Sequence, residues 1–568
     1  MHGGRTADAD LPKPTKEISI ECTSSDFETL CRNYKLRDPC PASKLGVCLP
    51  CEKAGKIESR IAKAPDLLSI LMEEHRQVRT EMNRAHNPLI LQVPPEITSA
   101  IFRFFIEIPP KFQVSLGPSW RKTYSSQLAL GAVCRGWRIR AESTPHLWTT
   151  IVARLNDPST WQLSFVRDSL ARSGSLPLSI NLYSNLENYY RTPDYINADR
   201  LIAMLNMQSG RWQSLNLDVP GRFVERFTGT LQPIETPVIR SLSFKSQDRD
   251  GVFQMQDVVP KPRHVELRKR PLRSVNIEWS DVEDLSMQMN QLDEWLEILR
   301  ITPKLQLAKF GPVSIGTEEI YPMLAAVIIQ SVLEKLHIQF PDAATCVEFF
   351  DRVEFPSLRR LDLNISGHLL PIECILSFMT RSSCPLEDLS ISEFRCESSA
   401  LIPLLKALPG LERIAFLPQM HLQVDPNFLL RHLAQTAILT ETTTSNSTQG
   451  KMGDFVDFLP NLRSFEFETD SIVDWSLVCG AFLLKKSADL HTARGRPLQS
   501  IHAHLSTNPV TSIYTIVSQG AILDILGVLK AGFSLKVDHP QLKGSNIILD
   551  AMESCNILDE DLLSFVRQ

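Results

Sequence analysis

Two pairs of residues in this 568-residue chain have types and spacings that suit metal chemistry. Cys48 and Cys51 form a C-x-x-C pair, and His502 and His504 alternate with the period of a β-strand, which places both imidazoles on one face. A structural zinc site usually has four ligands, so each pair needs partners from elsewhere. No second C-x-x-C pair follows Cys51, and the sequence identifies no third ligand for the two histidines. We therefore assign no metal site and no cofactor from the sequence.

The common catalytic motifs do not occur in the sequence. It contains no nucleophile elbow, Walker loop, dinucleotide-binding glycine pattern or HExxH motif. The run Asp559-Glu560-Asp561 falls in a charged segment near the C-terminus, where we expect the carboxylates to be exposed. These features predict a protein that is not an enzyme and has no catalytic residues. An enzyme whose site is assembled from residues distant in sequence is the alternative.

Composition and charge are those of an ordinary globular protein. The net charge is −5, with 43% hydrophobic and 22% charged residues, which does not favour a general nucleic-acid surface. The basic cluster between Arg263 and Arg273 is interpreted as a solvated loop, with a nuclear signal or a phosphate contact as alternatives. There is no N-terminal signal pattern, and the apolar run Met323–Val332 is too short to cross a membrane. We expect a cytoplasmic or nuclear protein with reduced cysteines and no membrane contact.

The segment 91–151 reads as a set of short amphipathic helices. Pro94 and Pro95 suit the first helical turn, where a missing N–H costs nothing, and Pro109-Pro110 ends the helix that they begin. The apolar positions of that helix are Ile97, Ile101, Phe102, Phe104, Phe105 and Ile108. Two separate short helices should follow, because Gly131 and Gly136 would each destabilise one long helix by roughly 1 kcal/mol.

The second part of this segment has its own apolar stripe. Ser125 or Ser126 can cap the first of these helices, and Pro145 closes the last. The apolar positions between them are Leu130, Val133, Cys134, Trp137 and Ala141. About 40 residues of helix seldom bury such a set unaided, so either the rest of the chain or a partner should cover the surplus.

These residues carry a resemblance to a known family. Pro94-Pro95-Glu96-Ile97, Ile101-Phe102, Val133-Cys134-Arg135 with Trp137-Arg138, and Leu147-Trp148 stand in the order of an F-box. The segment most resembles the F-box-like proteins of mushroom-forming fungi, although Val93 replaces the usual Leu and the loop 109–127 is long. The resemblance implies binding to a Skp-type adaptor and, through it, to a cullin–RING ubiquitin ligase. It assigns adaptor binding to Pro94, Pro95, Ile97, Ile101, Phe102, Leu130, Val133, Cys134 and Trp137.

A heptad pattern precedes this segment. Apolar residues step by four and three between Ile57 and Met82, which puts one seam along a helix. Because Pro65 interrupts the pattern, we expect two helices or a kinked one. The seam indicates either self-association or packing on the F-box-like helices or the following domain.

Beyond residue 150, helical and strand patterns alternate repeatedly. Units of the form L-x-x-L-x-L begin at Leu333, Leu358, Leu386 and Leu411, a step of about 25 to 28 residues that matches the leucine-rich-repeat period. A similar unit covers 271–277, and the wider gap before Leu462 predicts one degenerate repeat. In stacked repeats the intervening polar positions lie exposed on the sheet. Those positions are Arg359, Arg360, Asp362, Glu387, Asp388, Arg413, Arg463 and Glu466.

The sequence thus predicts an α/β chain in which an N-terminal helical F-box module precedes an irregular leucine-rich-repeat-like solenoid. The expected divisions are a largely disordered Cys-containing segment 1–55, an amphipathic helix 56–87, an F-box 88–150 and repeats 151–568. The expected function is a substrate-recognition subunit of a Skp–cullin–F-box ligase, with an unknown protein substrate on the repeats. Such a subunit acts by proximity and needs no reacting group. The alternative is a non-ligase scaffold whose degenerate F-box is an N-terminal cap.

Overall fold

A computed structural model describes most of the chain from residue 49 to residue 538. The described residues are 49–85, 93–107, 120–156, 159–184, 195–229, 239–245, 250–256, 258–313, 321, 326–418, 425–442, 458–469, 473–482, 498–505, 519–530 and 532–538. The expectations for residues 1–48 and for the carboxylates 559–561 fall outside these ranges. The chain divides into two compact units, one of Met1–Ile108 with Leu128–Glu142 and one of Pro109–Gln127 with Ser143–Gln568.

The structure describes four helices in the N-terminal part of the chain. They are α1 (Leu49–Ala85), α2 (Pro95–Glu107), α3 (Trp120–Val133) and α4 (Arg135–Glu142). Pro95 is the first residue of α2, as predicted, and the Pro94 carbonyl accepts the amide N–H of Thr98 at 3.1 Å. The predicted break into two short helices is confirmed at Cys134, whose carbonyl accepts the amide of Arg138 at 3.0 Å.

Two local expectations for these helices are wrong. Helix α3 begins at Trp120, so Ser125 and Ser126 lie within it and do not cap it. No Gly or Pro separates Trp120 from these serines, and Arg121 and Lys122 are good helix formers. Helix α1 is continuous over 37 residues and passes through Pro65, so the expectation of two separate helices is wrong and a single helix is present.

The heptad seam of α1 is exposed where its side chains are described. Leu68, Leu71, Val78 and Met82 have exposed fractions of 44%, 51%, 52% and 50%. Since half of each side chain remains accessible, the rest of the described chain does not bury this part of the seam. In the described part of the chain, no helix combines the length and the apolarity needed to cross a membrane.

The second unit is built on one large parallel sheet. Fourteen strands lie in chain order, and β8 pairs instead with β10 in a separate two-stranded sheet. The strands are β1 (Thr150–Arg154), β2 (Leu178–Tyr183), β3 (Trp212–Asp218), β4 (Ser241–Lys245), β5 (His264–Arg268), β6 (Asp284–Gln288), β7 (Leu307–Phe310), β8 (Ile328–Ile329), β9 (Lys335–Gln339), β10 (Val353–Glu354), β11 (Arg360–Leu369), β12 (Asp388–Arg395), β13 (Arg413–Leu417), β14 (Ser464–Thr469), β15 (Ser500–Leu505) and β16 (Ser534–Asp538). Each described sheet pairing is parallel and joins successive units of the chain, as expected for stacked α/β repeats.

Helices connect many of these strands and complete the core. They are α5 (Thr160–Arg172), α6 (Ala198–Asn206), α7 (Gly221–Val224), α8 (Leu292–Ile301), α9 (Ala343–Phe350), α10 (Ile372–Ser382), α11 (Ser398–Lys406), α12 (Pro426–Thr442), α13 (Trp475–Ala481) and α14 (Gln519–Lys530). Alternate strand residues are buried, as in β11, where Leu361, Leu363 and Ile365 point into the core. The intervening residues form one half-exposed face, here called the polar sheet face.

The predicted repeat anchors are confirmed as core residues. Leu333, Leu358, Leu411 and Leu462 are fully buried, and a strand begins two residues after each of them. A leucine at this position fills the space under its own strand and the next, which explains the period in the sequence.

Two predicted repeat positions are wrong. Strand β14 pairs directly with β13, so no degenerate repeat contributes a strand between them, and α12 lies in that stretch of chain. The unit 271–277 is not a strand of the large sheet, because Leu272–Ser274 is a 3-10 turn. The strands of this region are β5 and β6, and Val282-x-x-Leu285-x-Met287 is the apolar pattern that leads into β6.

Candidate functional site

Helix α2 presents one buried face and one exposed apolar face. Phe102 is 1% exposed and packs against Trp137 of α4, with ring centroids 4.8 Å apart. Ile97 and Ile101 lie one turn apart on the other side and are 51% and 43% exposed. Phe105, eight residues after Ile97, continues this stripe. We call Ile97, Ile101, Phe104 and Phe105 the α2 stripe.

The structure divides the nine residues predicted to bind an adaptor into three groups. Five are exposed and available to a partner: Pro94, Pro95, Ile97, Ile101 and Val133. Cys134 and Trp137 are half-buried, and the thiol of Cys134 accepts the amide of Trp137 at 3.4 Å at the start of α4. Phe102 and Leu130 are buried, at 1% and 5% exposure, so they hold the helices and do not face solvent.

Among the described side chains of α2, α3 and α4, four large apolar residues are exposed that were not among the predicted site residues. Phe104, Phe105, Leu128 and Ile139 are 68%, 52%, 48% and 57% exposed. The helical spacing from Ile97 already placed Phe104 and Phe105 on the apolar face of α2. Ile139 stands between two arginines in α4, and nothing in that local pattern indicated exposure. Apolar side chains exposed together on short helices are typical of a protein-binding surface.

The polar sheet face carries a row of alternating charges across β9 to β13. Asp362 pairs with His337 and with Arg360, at 3.2 Å from the Arg360 guanidinium. Asp388 is held between Arg360 at 3.5 Å and Arg413 at 3.0 Å. Asp388 was expected to be exposed, but these two arginines cover it and it is 8% exposed.

Hydrogen bonding sets the ionisation of Asp362 on this face. Burial alone would raise the pKa of this carboxyl, but hydrogen bonds and charge from His337 and Arg360 outweigh burial and lower it. The remaining predicted surface charges also find partners, Arg359 with Glu387 and Arg463 with Glu412 at 3.4 Å. The charged side chains of this row are therefore paired with one another.

A second polar group lies at the C-terminal end of the same face. His502 and His504 share one face of β15, as predicted, between Glu466 of β14 and Asp538 of β16. Glu466 Oε1 is 2.6 Å from His504 Nε2, and Asp538 Oδ2 is 2.7 Å from His502 Nε2. The sequence identified no third ligand for these histidines, and sheet register brings Glu466 and Asp538 beside them from positions 34 to 38 residues away along the chain.

The basic cluster, the C-x-x-C pair and the buried cysteines were also singled out in the sequence or lie in the core. In the basic cluster, Arg270 is fully buried, and its guanidinium donates to the carbonyl oxygens of Asp250 and of Gly251, the latter at 2.6 Å. That residue is a structural tether, so the solvated-loop interpretation is wrong for it. Cys48 and the side chain of Cys51 lie outside what the structure describes. Burial raises the pKa of the Cys346 thiol, and it raises the pKa of the Cys479 thiol to about 12.

Comparison with known proteins adds no family to these observations. Neither the protein-family models nor the curated proteins compared with this chain match it. The two surfaces that could carry a function are the α2 stripe and the polar sheet face.

Proposed function

We propose that this chain is the substrate-recognition subunit of a Skp–cullin–F-box ubiquitin ligase. In this proposal the F-box-like helices bind a Skp-type adaptor, which links the chain to a cullin. The large sheet is an irregular leucine-rich-repeat-like solenoid whose polar face binds a protein target. The expected localisation, cytoplasmic or nuclear, belongs to the same proposal.

The single observation that carries the proposal is the two-sided character of α2. Its inner residue Phe102 anchors the helix, while Ile97 and Ile101 remain about half exposed. Fully burying an aliphatic side chain gains roughly 1.5–3 kcal/mol, so covering the exposed half of each gains about 1 kcal/mol. The four residues of the α2 stripe together offer about 3–6 kcal/mol, which is a useful share of the binding free energy of a specific interface. A partner that covers the α2 stripe would gain this free energy, and this supports a binding role for the stripe.

The polar sheet face supports the second half of the proposal. Its charged side chains come from neighbouring parallel strands, so a target laid across the strands would meet Asp362 and Arg360 of β11 and then Arg413 of β13. These groups are already aligned by their mutual ion pairs. Ordering them on binding would therefore cost little conformational entropy. No group in this arrangement needs to react, since a ligase receptor supplies only proximity.

The test is adaptor binding by the full chain, measured by isothermal titration with a purified Skp-type adaptor. The double variant Ile97→Asp with Ile101→Asp should lose at least a hundredfold in affinity, because two carboxylates would have to be desolvated in the interface. Leu369→Asp is the matched control, since Leu369 is 67% exposed on the other unit and should leave binding unchanged. Equal affinity of wild type and the double variant would remove the α2 stripe from the proposal.

The second candidate function is a protein-interaction scaffold in which the F-box-like helices no longer bind an adaptor. The low exposure of Leu130, together with the half-buried Trp137, favours this candidate, because both belong to the predicted binding set. Under this alternative the wild-type chain would show no heat of binding with the adaptor, while its polar sheet face would still bind a target. The same titration therefore separates the two functions.

A further inference from the structure

The group at the C-terminal end of the polar sheet face has the arrangement of a metal site. One donor atom from each of Glu466, His502 and His504 lies within 4.8 Å of the other two. We propose that these three side chains bind a divalent transition-metal ion, zinc being the best match, with Asp538 as the carboxylate that orients the imidazoles. This proposal does not depend on adaptor binding.

The ring nitrogens divide into two sets that face different carboxylates. His502 Nδ1 and His504 Nε2 face Glu466 Oε1, at 3.5 Å and 2.6 Å. The opposite nitrogens, His502 Nε2 and His504 Nδ1, face Asp538 Oδ2 at 2.7 Å and 3.5 Å. Histidine ligands of metals generally donate their second N–H to a carboxylate, which fixes the tautomer. Asp538 holds that position for both rings at once.

The distances leave room for an ion after a small adjustment. Two ligands of a tetrahedral zinc are about 3.3 Å apart when each bond is about 2.0–2.1 Å long. The His502–Glu466 distance of 3.5 Å already matches, and the His504–Glu466 distance of 2.6 Å has to open by a rotation of the Glu466 side chain. The imidazole centroids are 3.9 Å apart, and the donor atoms of the three side chains lie within 4.8 Å of one another, which is close enough for one ion to contact all three after side-chain rotation.

Charge and backbone both favour a cation here. When the imidazoles are neutral, Glu466 and Asp538 contribute two negative charges, and Lys536 compensates only at Asp538, 3.1 Å away. The ligands project from adjacent strands in fixed register, with Glu466 opposite His502 and His504 opposite Asp538. Sites built on strands hold their ligands more accurately than sites on loops. Two imidazoles and one carboxylate suit zinc and leave its fourth position to water.

The test is metal loading of the full chain after removal of metals with a chelator. Zinc titration followed by elemental analysis should find an equivalent that is lost in His504→Ala and in Glu466→Gln. Glu466→Gln is nearly isosteric and should leave β14 folded. Circular dichroism would detect any unfolding of the strand. The matched control is His337→Ala, because His337 is also paired with a carboxylate on this face but has one carboxylate partner, Asp362, among the described residues.

The chain contains twelve cysteines, so bound zinc alone does not identify the site. Cobalt substitution resolves this, since a site without sulfur gives visible bands but no thiolate charge-transfer band. We expect Asp538→Asn to weaken cobalt binding by about 10-fold to 100-fold. Unchanged stoichiometry and affinity in both His504→Ala and Glu466→Gln would overturn the proposal, and the four residues would then be only an ion-pair cluster.

Discussion

Residues Ile101 and Phe102 are neighbours in α2 whose roles should separate completely under mutation. Phe102 is 1% exposed against Trp137, whereas Ile101 is 43% exposed. Replacing a buried Phe by Ala typically costs about 3–5 kcal/mol of stability. Ile101→Ala should cost less than about 1 kcal/mol of stability, because no closed cavity forms beside solvent.

The two substitutions should have the opposite order of effects on adaptor binding. If the adaptor covers Ile101, Ile101→Ala removes about 1 kcal/mol of apolar burial and weakens the complex roughly fivefold. Phe102→Ala weakens binding only as far as it loosens α2 and α4. We therefore expect Ile101→Ala to weaken adaptor binding without affecting folding. We expect Phe102→Ala to destabilise the fold, and to weaken binding only as a consequence.

Hydrogen–deuterium exchange over α2 and α4 measures the local folding effect, and isothermal titration with the adaptor measures affinity. Phe102→Ala should raise exchange in both helices, while Ile101→Ala should leave exchange at the wild-type rate. Wild-type affinity in Ile101→Ala, or a loss of protection there equal to that of Phe102→Ala, would refute the assignment of the two faces.

Three further predictions concern the second unit. Glu294→Ala should lower stability by about 2–5 kcal/mol, seen as a lower thermal midpoint, because its buried carboxylate accepts the amides of Leu272 at 2.7 Å and Gln291 at 3.1 Å. Asp362→Asn should destabilise the chain at pH 7; since the folded pKa lies below the ordinary 3.8, the difference should vanish as the pH falls through that lowered pKa. Buried Cys346, whose thiol pKa is raised, should resist iodoacetamide at pH 8 until urea is added.

Each of these has a defined contradicting result. Glu294→Gln keeps one acceptor oxygen and should fall between wild type and Glu294→Ala, so equal midpoints for all three proteins would reject the hydrogen-bond account. A deficit in Asp362→Asn that does not shrink as the pH falls below the ordinary carboxyl pKa of 3.8 and through the acid range would mean that the carboxylate charge is irrelevant. Alkylation of native Cys346 at the rate seen in urea would show that its site opens readily, with half-exposed Cys134 as the internal reference.

Much of the fold was predictable from the sequence because burial in a parallel sheet leaves a direct apolar signal. The leucines before β9, β11, β12, β13 and β14 were identified by spacing, and all are buried. Which strands pair with one another was harder to predict. The gap before Leu462 resembles a missing repeat, but α12 occupies part of it, and a helix of this length leaves the same gap in the pattern as a lost strand would.

The candidate sites were predictable only in part, because a helical apolar pattern does not show which side faces the interior. Phe102 and Ile101 are adjacent and equally apolar, and only the contact with Trp137 distinguishes the anchor from the exposed stripe. The register between distant strands could not be predicted from the sequence either. Glu466 and Asp538 reach His502 and His504 through strand pairing, which no local spacing encodes.

The most direct test of the central claim is size-exclusion chromatography of the full chain co-expressed with a Skp-type adaptor. The proposal predicts a stoichiometric complex that elutes ahead of the free chain and that is lost in the Ile97→Asp, Ile101→Asp double variant but kept in Leu369→Asp. A chain that elutes free of the adaptor at micromolar concentration would contradict it, and the F-box-like helices would then serve as a cap of a scaffold.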